Sequence, residues 1–125
     1  MPNQIIWENK GVLSRYSGLF SPEAHIEGLG KLFGDPRIDG IRYMIGDYSE
    51  VNGDLLNEES VEYPLAMTTG AASYLKNIKV ALVATDKKII KLCRHFIELS
   101  NKVNPTWEVR LFEDTLAARD WASSS

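Results

Sequence analysis

The sequence predicts one α/β domain built on a mixed five-stranded sheet with about four helices and an N-terminal antiparallel hairpin. Three observations lead there. Two short β-type runs, residues 5–8 and 12–19, are joined only by Asn9-Lys10-Gly11, which is hairpin spacing. Residues 79–84, KVALVA, are almost unbroken apolar sequence, as a strand covered on both faces requires. Beyond the hairpin, helical and strand patterns alternate, which calls for right-handed crossovers between parallel strands. At 125 residues the chain is long enough to bury one core without disulfide staples.

Taken in order, Gly11 is expected to supply the left-handed turn of the hairpin. Ser21-Pro22-Glu23 then reads as a helix start: hydroxyl cap, proline in the first turn, acid facing the helix dipole. Ile26, Leu29, Leu32 and Phe33 form its apolar stripe, and Gly34-Asp35-Pro36 ends it. A third strand spans 41–45 and a fourth 78–84. Asp86 caps a long helix reaching about residue 103, 107–112 is a fifth strand, and Asp114 caps a last short helix through Trp121. The domain is expected over 1–122, with 123–125 a frayed serine tail.

Composition excludes several functions. One cysteine, Cys93, precludes an internal disulfide and suits a reducing compartment. The first residues lack a basic leader with an apolar core. The longest uncharged run, 63–75, falls short of the roughly 20 residues a membrane span needs. A cytoplasmic location is the expectation. The formal charge of −3 argues against nucleic acid as a partner. It conceals a polarity, with 5 Lys/Arg against 11 Asp/Glu in residues 1–63 and 9 against 6 thereafter.

With the element order in hand, the chain resembles the SpoIIAA-like family, relatives of the STAS and SEC14-type domains. The carriers are Tyr16-Ser17-Gly18 before Ser21-Pro22-Glu23, then Asp35-Pro36-Arg37 leading to Asp47-Tyr48-Ser49. KVALVA, EVRLF at 108–112, and Ala118 with Trp121 follow in order. The resemblance implies a non-enzymatic α/β domain with no cofactor. It implies either binding of a lipid-like molecule or membrane, or regulation by protein–protein contact in the STAS manner.

The residues themselves sort the candidate sites. Asp47-Tyr48-Ser49 matches a strand end in the anti-sigma antagonists, but the phosphorylatable motif that follows there is replaced by Asn57-Glu58-Glu59-Ser60-Val61. A phosphate on Ser60 would meet Glu59 and Glu62, so a phosphoswitch is disfavoured. Asp47 is expected to end its strand and bind the loop amides after it. Asp47, Glu50, Asp54 and Glu58 offer oxygen ligands, but EF-hand spacing is missing, so no metal is expected. Cys93 and His95 lie two apart on a helix, on nearly opposite faces, so they form no nucleophile–base pair. Cys93 falls on the apolar arc and reads as a buried thiol, and His25 has no visible partner.

Two surfaces remain. Lys87, Lys91, Arg94 and Lys102 share a narrow helical sector interrupted by Glu98. It is ordinarily the wet face of an amphipathic helix and alternatively a contact for an anionic membrane or an acidic protein partner. The uncharged segment 63–75 is the more unusual. It is apolar on every side, yet Pro64, Gly70 and two threonines weaken its helix. Plain core packing is its ordinary reading; the alternative is an apolar lid or pocket for a hydrophobic small molecule or lipid, with Tyr63, Leu65, Met67 and Tyr74 as lining residues.

Overall fold

Alternation along single strands decides the architecture. In β4 (Ile78–Val83), Val80 and Leu82 join one buried apolar cluster while Ala81 and Val83 join another. In β2 (Gly11–Leu19), Val12 and Tyr16 divide from Leu13 in the same way. Both faces of the sheet are therefore covered. The computed structural model describes residues 3–124.

The remaining strands are β1 (Asn3–Glu8), β3 (Tyr43–Asn52) and β5 (Trp107–Phe112), and the sheet order is β1-β2-β3-β4-β5. β1 runs antiparallel to β2; every other neighbouring pair is parallel. Helices α1 (Pro22–Phe33), α2 (Glu62–Ala72) and α3 (Lys87–Val103) connect successive parallel strands. Right-handed crossovers that all step the same way must put their helices on one face. Leu29, Leu32, Ala71, Ile89 and Cys93 accordingly share one cluster with Val12, Met44 and Val80. Helix α4 (Thr115–Ala122) follows the last strand and covers the other face, where Ala118 and Ala122 pack with Ala81 and Ile45.

The expected helix caps are present. The Ser21 hydroxyl accepts from the Ala24 amide, Asp86 from Lys88 and Ile89, and Asp114 from Ala117. Two 3₁₀ turns, Pro36–Gly40 and Glu58–Val61, were not foreseen.

Four expectations are corrected. The left-handed residue of the hairpin is Lys10 (φ 63°), not Gly11. Gly11 is needed for space: a Cβ there would sit 2.0 Å from Cζ of Tyr43, whose ring lies across it. The third strand does not stop near Asp47 but continues to Asn52, because β2 offers a pairing partner as far as Leu19. Ser123 and Ser124 are not frayed: their hydroxyls donate to the Arg119 and Trp121 carbonyls, and Lys79 donates to the Ser124 carbonyl at 3.0 Å. Ser125 lies outside the described residues. Segment 63–75 is helical only to Ala72, and it is not buried all round, since Tyr63 and Tyr74 stand exposed.

Among the described residues no helix is long and apolar enough to cross a membrane.

Candidate functional site

The register of β2 against β3 creates the site. Arg15 pairs with Asp47 but Ser17 pairs with Glu50, so β3 carries one extra residue, a β-bulge. The bulge changes parity. Met44, Gly46 and Tyr48 face the helical layer from even positions, whereas Val51 reaches the same cluster from an odd one. Tyr48, still on the alternation of Met44 and Gly46, lies beside Tyr16 of β2, ring centroids 5.1 Å apart and planes 11° apart. Phe20 and His25 close the group, at 4.8 and 5.4 Å from the Tyr16 ring.

These aromatics stand at one side of a cavity of about 110 Å³ between the sheet and helices α1–α3. Val80 and Leu82 form its floor, Leu29 and Cys93 line its helical side, and Pro64 and Thr68 of α2 contribute another wall. Among the described residues no Lys, Arg, Asp or Glu lines it. Its polar groups are few, and most are already committed. The Thr68 hydroxyl donates to the Pro64 carbonyl at 2.9 Å. Asn57 and Ser60 form a reciprocal capping box at the start of the second 3₁₀ turn. Ser14 accepts from the Asn3 side-chain amide at 3.2 Å.

The His25–Tyr48 pair is hydrogen-bonded, Nε2 to Oη at 2.8 Å, with donor and acceptor set by the imidazole tautomer. Burial pulls the His25 imidazole down to about 4 and pushes the Tyr48 phenol well above its ordinary value. Burial likewise raises Tyr16, with the nearby Ser14 hydroxyl opposing it. All three groups are neutral at pH 7. Yet Tyr16, only 1% exposed, has no hydrogen-bond partner for its hydroxyl in the structure; Ser14 is close but out of bonding geometry. The phenol can seat under α1 only because Gly28 lacks a Cβ, which would fall 2.9 Å from the Tyr16 oxygen.

The residues singled out from sequence fall as follows. Segment 63–75 does border the cavity, but through Pro64 and Thr68; Tyr63 and Tyr74 point outward, and Leu65 and Met67 are half-buried outside the lining. Cys93 is buried, and burial pushes its thiol up to about 12, which removes the reactive thiolate. Lys87, Lys91, Arg94 and Lys102 are all exposed, and Lys102 pairs loosely with Glu98 at 3.9 Å. Asp47 is buried, accepts from the Ser49 amide at 3.0 Å as expected, and also binds Arg15 Nε at 3.0 Å. Among the described residues no three His, Cys, Asp or Glu side chains gather as a metal set.

Sequence reasoning overlooked Tyr16, His25 and Tyr48. A signal existed for all three. His25 stands four and seven residues before Leu29 and Leu32, on the stripe that buries. Tyr16 alternates with Val12 and Ser14 on the helix-facing side. Tyr48 alternates with Met44 and Gly46 on the same side, and only Val51 depends on the bulge, which left no local mark.

Compared with known proteins, the chain matches no family model and no curated sequence.

Proposed function

We propose that this chain is a non-enzymatic, SpoIIAA-like binding module for a small apolar molecule held between the sheet and the helical layer. The observation that carries the reading is the cavity itself: about 110 Å³, lined almost wholly by apolar atoms, in the middle of the domain. Cores are normally close-packed with few voids larger than a water. Apolar cavities of roughly 150 Å³ bind single-ring hydrocarbons, so this one suits a single ring or short chain. A longer acyl chain requires α2 to move.

α2 is the wall best built for movement. Val61 provides no side-chain cap at its start, and Thr68 and Thr69 bond back to their own helix carbonyls, which loosens it. Its C-terminal end is held, by Trp107 Nε1 on the Leu75 carbonyl at 2.8 Å and Asn104 on Thr69 at 3.2 Å. Opening is thus favoured at the Ser60–Pro64 end. The neutral His25, the unreactive Cys93 and the committed hydroxyls support binding over catalysis. The exposed Lys87, Lys91 and Arg94 on α3 support delivery at an anionic membrane surface.

The experiment is extraction of the purified protein with organic solvent, followed by mass spectrometry, with a Thr68→Phe variant beside it. One apolar compound near equimolar with the chain, lost in the variant, supports the reading. A second reading, a STAS-like protein–protein regulatory domain, is favoured by Tyr63 and Tyr74. They are 66% and 56% exposed, Tyr63 in the first turn of α2 and Tyr74 just past its end. Protein that extracts empty and binds no small apolar probe would favour it.

A further inference from the structure

We propose that the cavity selects an apolar molecule bearing a single uncharged oxygen acceptor, an alcohol, phenol, aldehyde or ketone, and that the Tyr16 hydroxyl donates to that oxygen. This rests on the binding reading above and names the ligand's chemistry.

The first support is the orphaned hydroxyl. Buried polar side-chain atoms are nearly always hydrogen-bonded, and an unpaired one costs free energy. Tyr16 lines the cavity and its hydroxyl lies buried and unpaired at that wall, so an acceptor reaches it by a small shift of the wall as the ligand enters. No neighbour bonds it in the structure: Tyr48 Oη is held by His25, and the Ser14 hydroxyl, held by Asn3, stands near without a bond to Tyr16.

The second support is charge. A carboxylate or amine brought into this cavity would meet no opposite charge, because no Lys, Arg, Asp or Glu lines it. The one basic group, His25, is neutral, since burial pulls it to about 4. An unpaired ion in such surroundings is strongly disfavoured. A neutral oxygen gains the Tyr16 hydrogen bond without that penalty. Selection therefore runs against fatty acids and toward their alcohols and aldehydes, and the tyrosine hydroxyl is the group that reads the difference.

The test uses three probes of one ring each, toluene, benzyl alcohol and benzoate, titrated at pH 7 by ligand-observed NMR into the unmutated protein and Tyr16→Phe. The expected result has three parts. Benzyl alcohol binds the unmutated protein at least about tenfold more tightly than benzoate, since the carboxylate must be buried unpaired. Tyr16→Phe weakens benzyl alcohol about three- to tenfold, one neutral hydrogen bond converted to affinity. Toluene changes by less than about twofold, because it never used the hydroxyl. Toluene and benzyl alcohol losing equally in Tyr16→Phe would overturn the assignment while leaving the cavity reading intact, and so would benzoate binding as well as the alcohol. The benzoate comparison needs no variant. Failure of all three probes in the unmutated protein would overturn the binding reading and this inference with it.

Discussion

Tyr16 and Tyr48 stack almost parallel on adjacent strands, 5.1 Å between centroids, yet only Tyr48 has a hydrogen-bond partner, His25 at 2.8 Å. The stacking geometry lies within the favourable offset range. The two rings differ because Tyr48 meets His25 of α1, while the Tyr16 hydroxyl ends packed beneath Gly28 without a partner. One hydroxyl is satisfied within the fold and the other awaits an acceptor.

That asymmetry predicts opposite stability effects for the same chemical change. Tyr16→Phe removes an unpaired buried hydroxyl and is expected to be neutral or to stabilise by up to about 1 kcal/mol. Tyr48→Phe strands the His25 ring and is expected to cost about 1–2 kcal/mol. Urea unfolding of the two variants checks this. Equal destabilisation would mean that both hydroxyls are paired in solution.

His25 predicts a pH dependence. Its folded value of about 4 lies below the ordinary 6.5, so the unfolded chain takes up a proton near pH 6.5 that the folded chain refuses until about 4. Stability is then full above pH 6.5, falls as pH drops from 6.5 toward 4, and levels off below. The loss is on the order of 2 kcal/mol, scaled down because His25 is only partly buried as a whole residue. His25→Gln, which retains an acceptor for Tyr48, is expected to flatten that slope. An unchanged slope would place the imidazole in solvent.

The hairpin predicts a reversal of ordinary expectation. Lys10 carries the left-handed φ of 63°, so Lys10→Gly is expected to be neutral or stabilising by up to about 1 kcal/mol. Gly11→Ala drives a methyl into the Tyr43 ring and is expected to cost about 1–3 kcal/mol. Thermal melting of both variants decides it. Tolerance of Gly11→Ala would show that the Tyr43 ring moves aside freely.

How far the sequence revealed all this varies by element. Val12 and Leu13, or Leu82 and Val83, announce two covered faces by alternation alone. Asp86 and Asp114 mark helix starts because a carboxylate cap satisfies backbone amides locally. β3 was cut short because Asp47, Ser49 and Glu50 look like loop. They remain in a strand since Arg15 on the neighbouring strand neutralises Asp47, a tertiary fact. Tyr48 went with that shortened strand although it alternates with Met44 and Gly46; Val51 was illegible, because the bulge that turns it inward is set by pairing between strands. The wall role of 63–75 was legible from its lack of charge. Which of its residues face inward was not, because an apolar periphery gives no periodicity to read, and Tyr63 and Tyr74 drew attention from Pro64 and Thr68.

The basic sector of α3 predicts salt-sensitive association with anionic vesicles. Lys87→Glu combined with Lys91→Glu is expected to weaken binding in sedimentation while leaving the melting curve unchanged. Raising salt toward 0.5 M should do the same, since exposed charges are already screened within about 10 Å at 0.1 M. No binding by the unmutated protein at low salt would leave the sector a solvated helix face.

The most direct test of the central claim is methyl NMR of the unmutated protein titrated with toluene, because the two buried clusters provide the site and its control within one molecule. Val12, Leu29, Val80 and Leu82 line the cavity, whereas Leu13, Ile45 and Val83 pack into the cluster under α4. The account predicts saturable shifts that are large at the first set and small at the second, with Tyr16 and Tyr48 ring signals moving in step. Ile45, which borders the cavity from the far face, should move least among its lining residues. Absence of shifts at Val12, Leu29, Val80 and Leu82, or shifts of equal size in both clusters, would contradict a specific apolar site between the sheet and the helices.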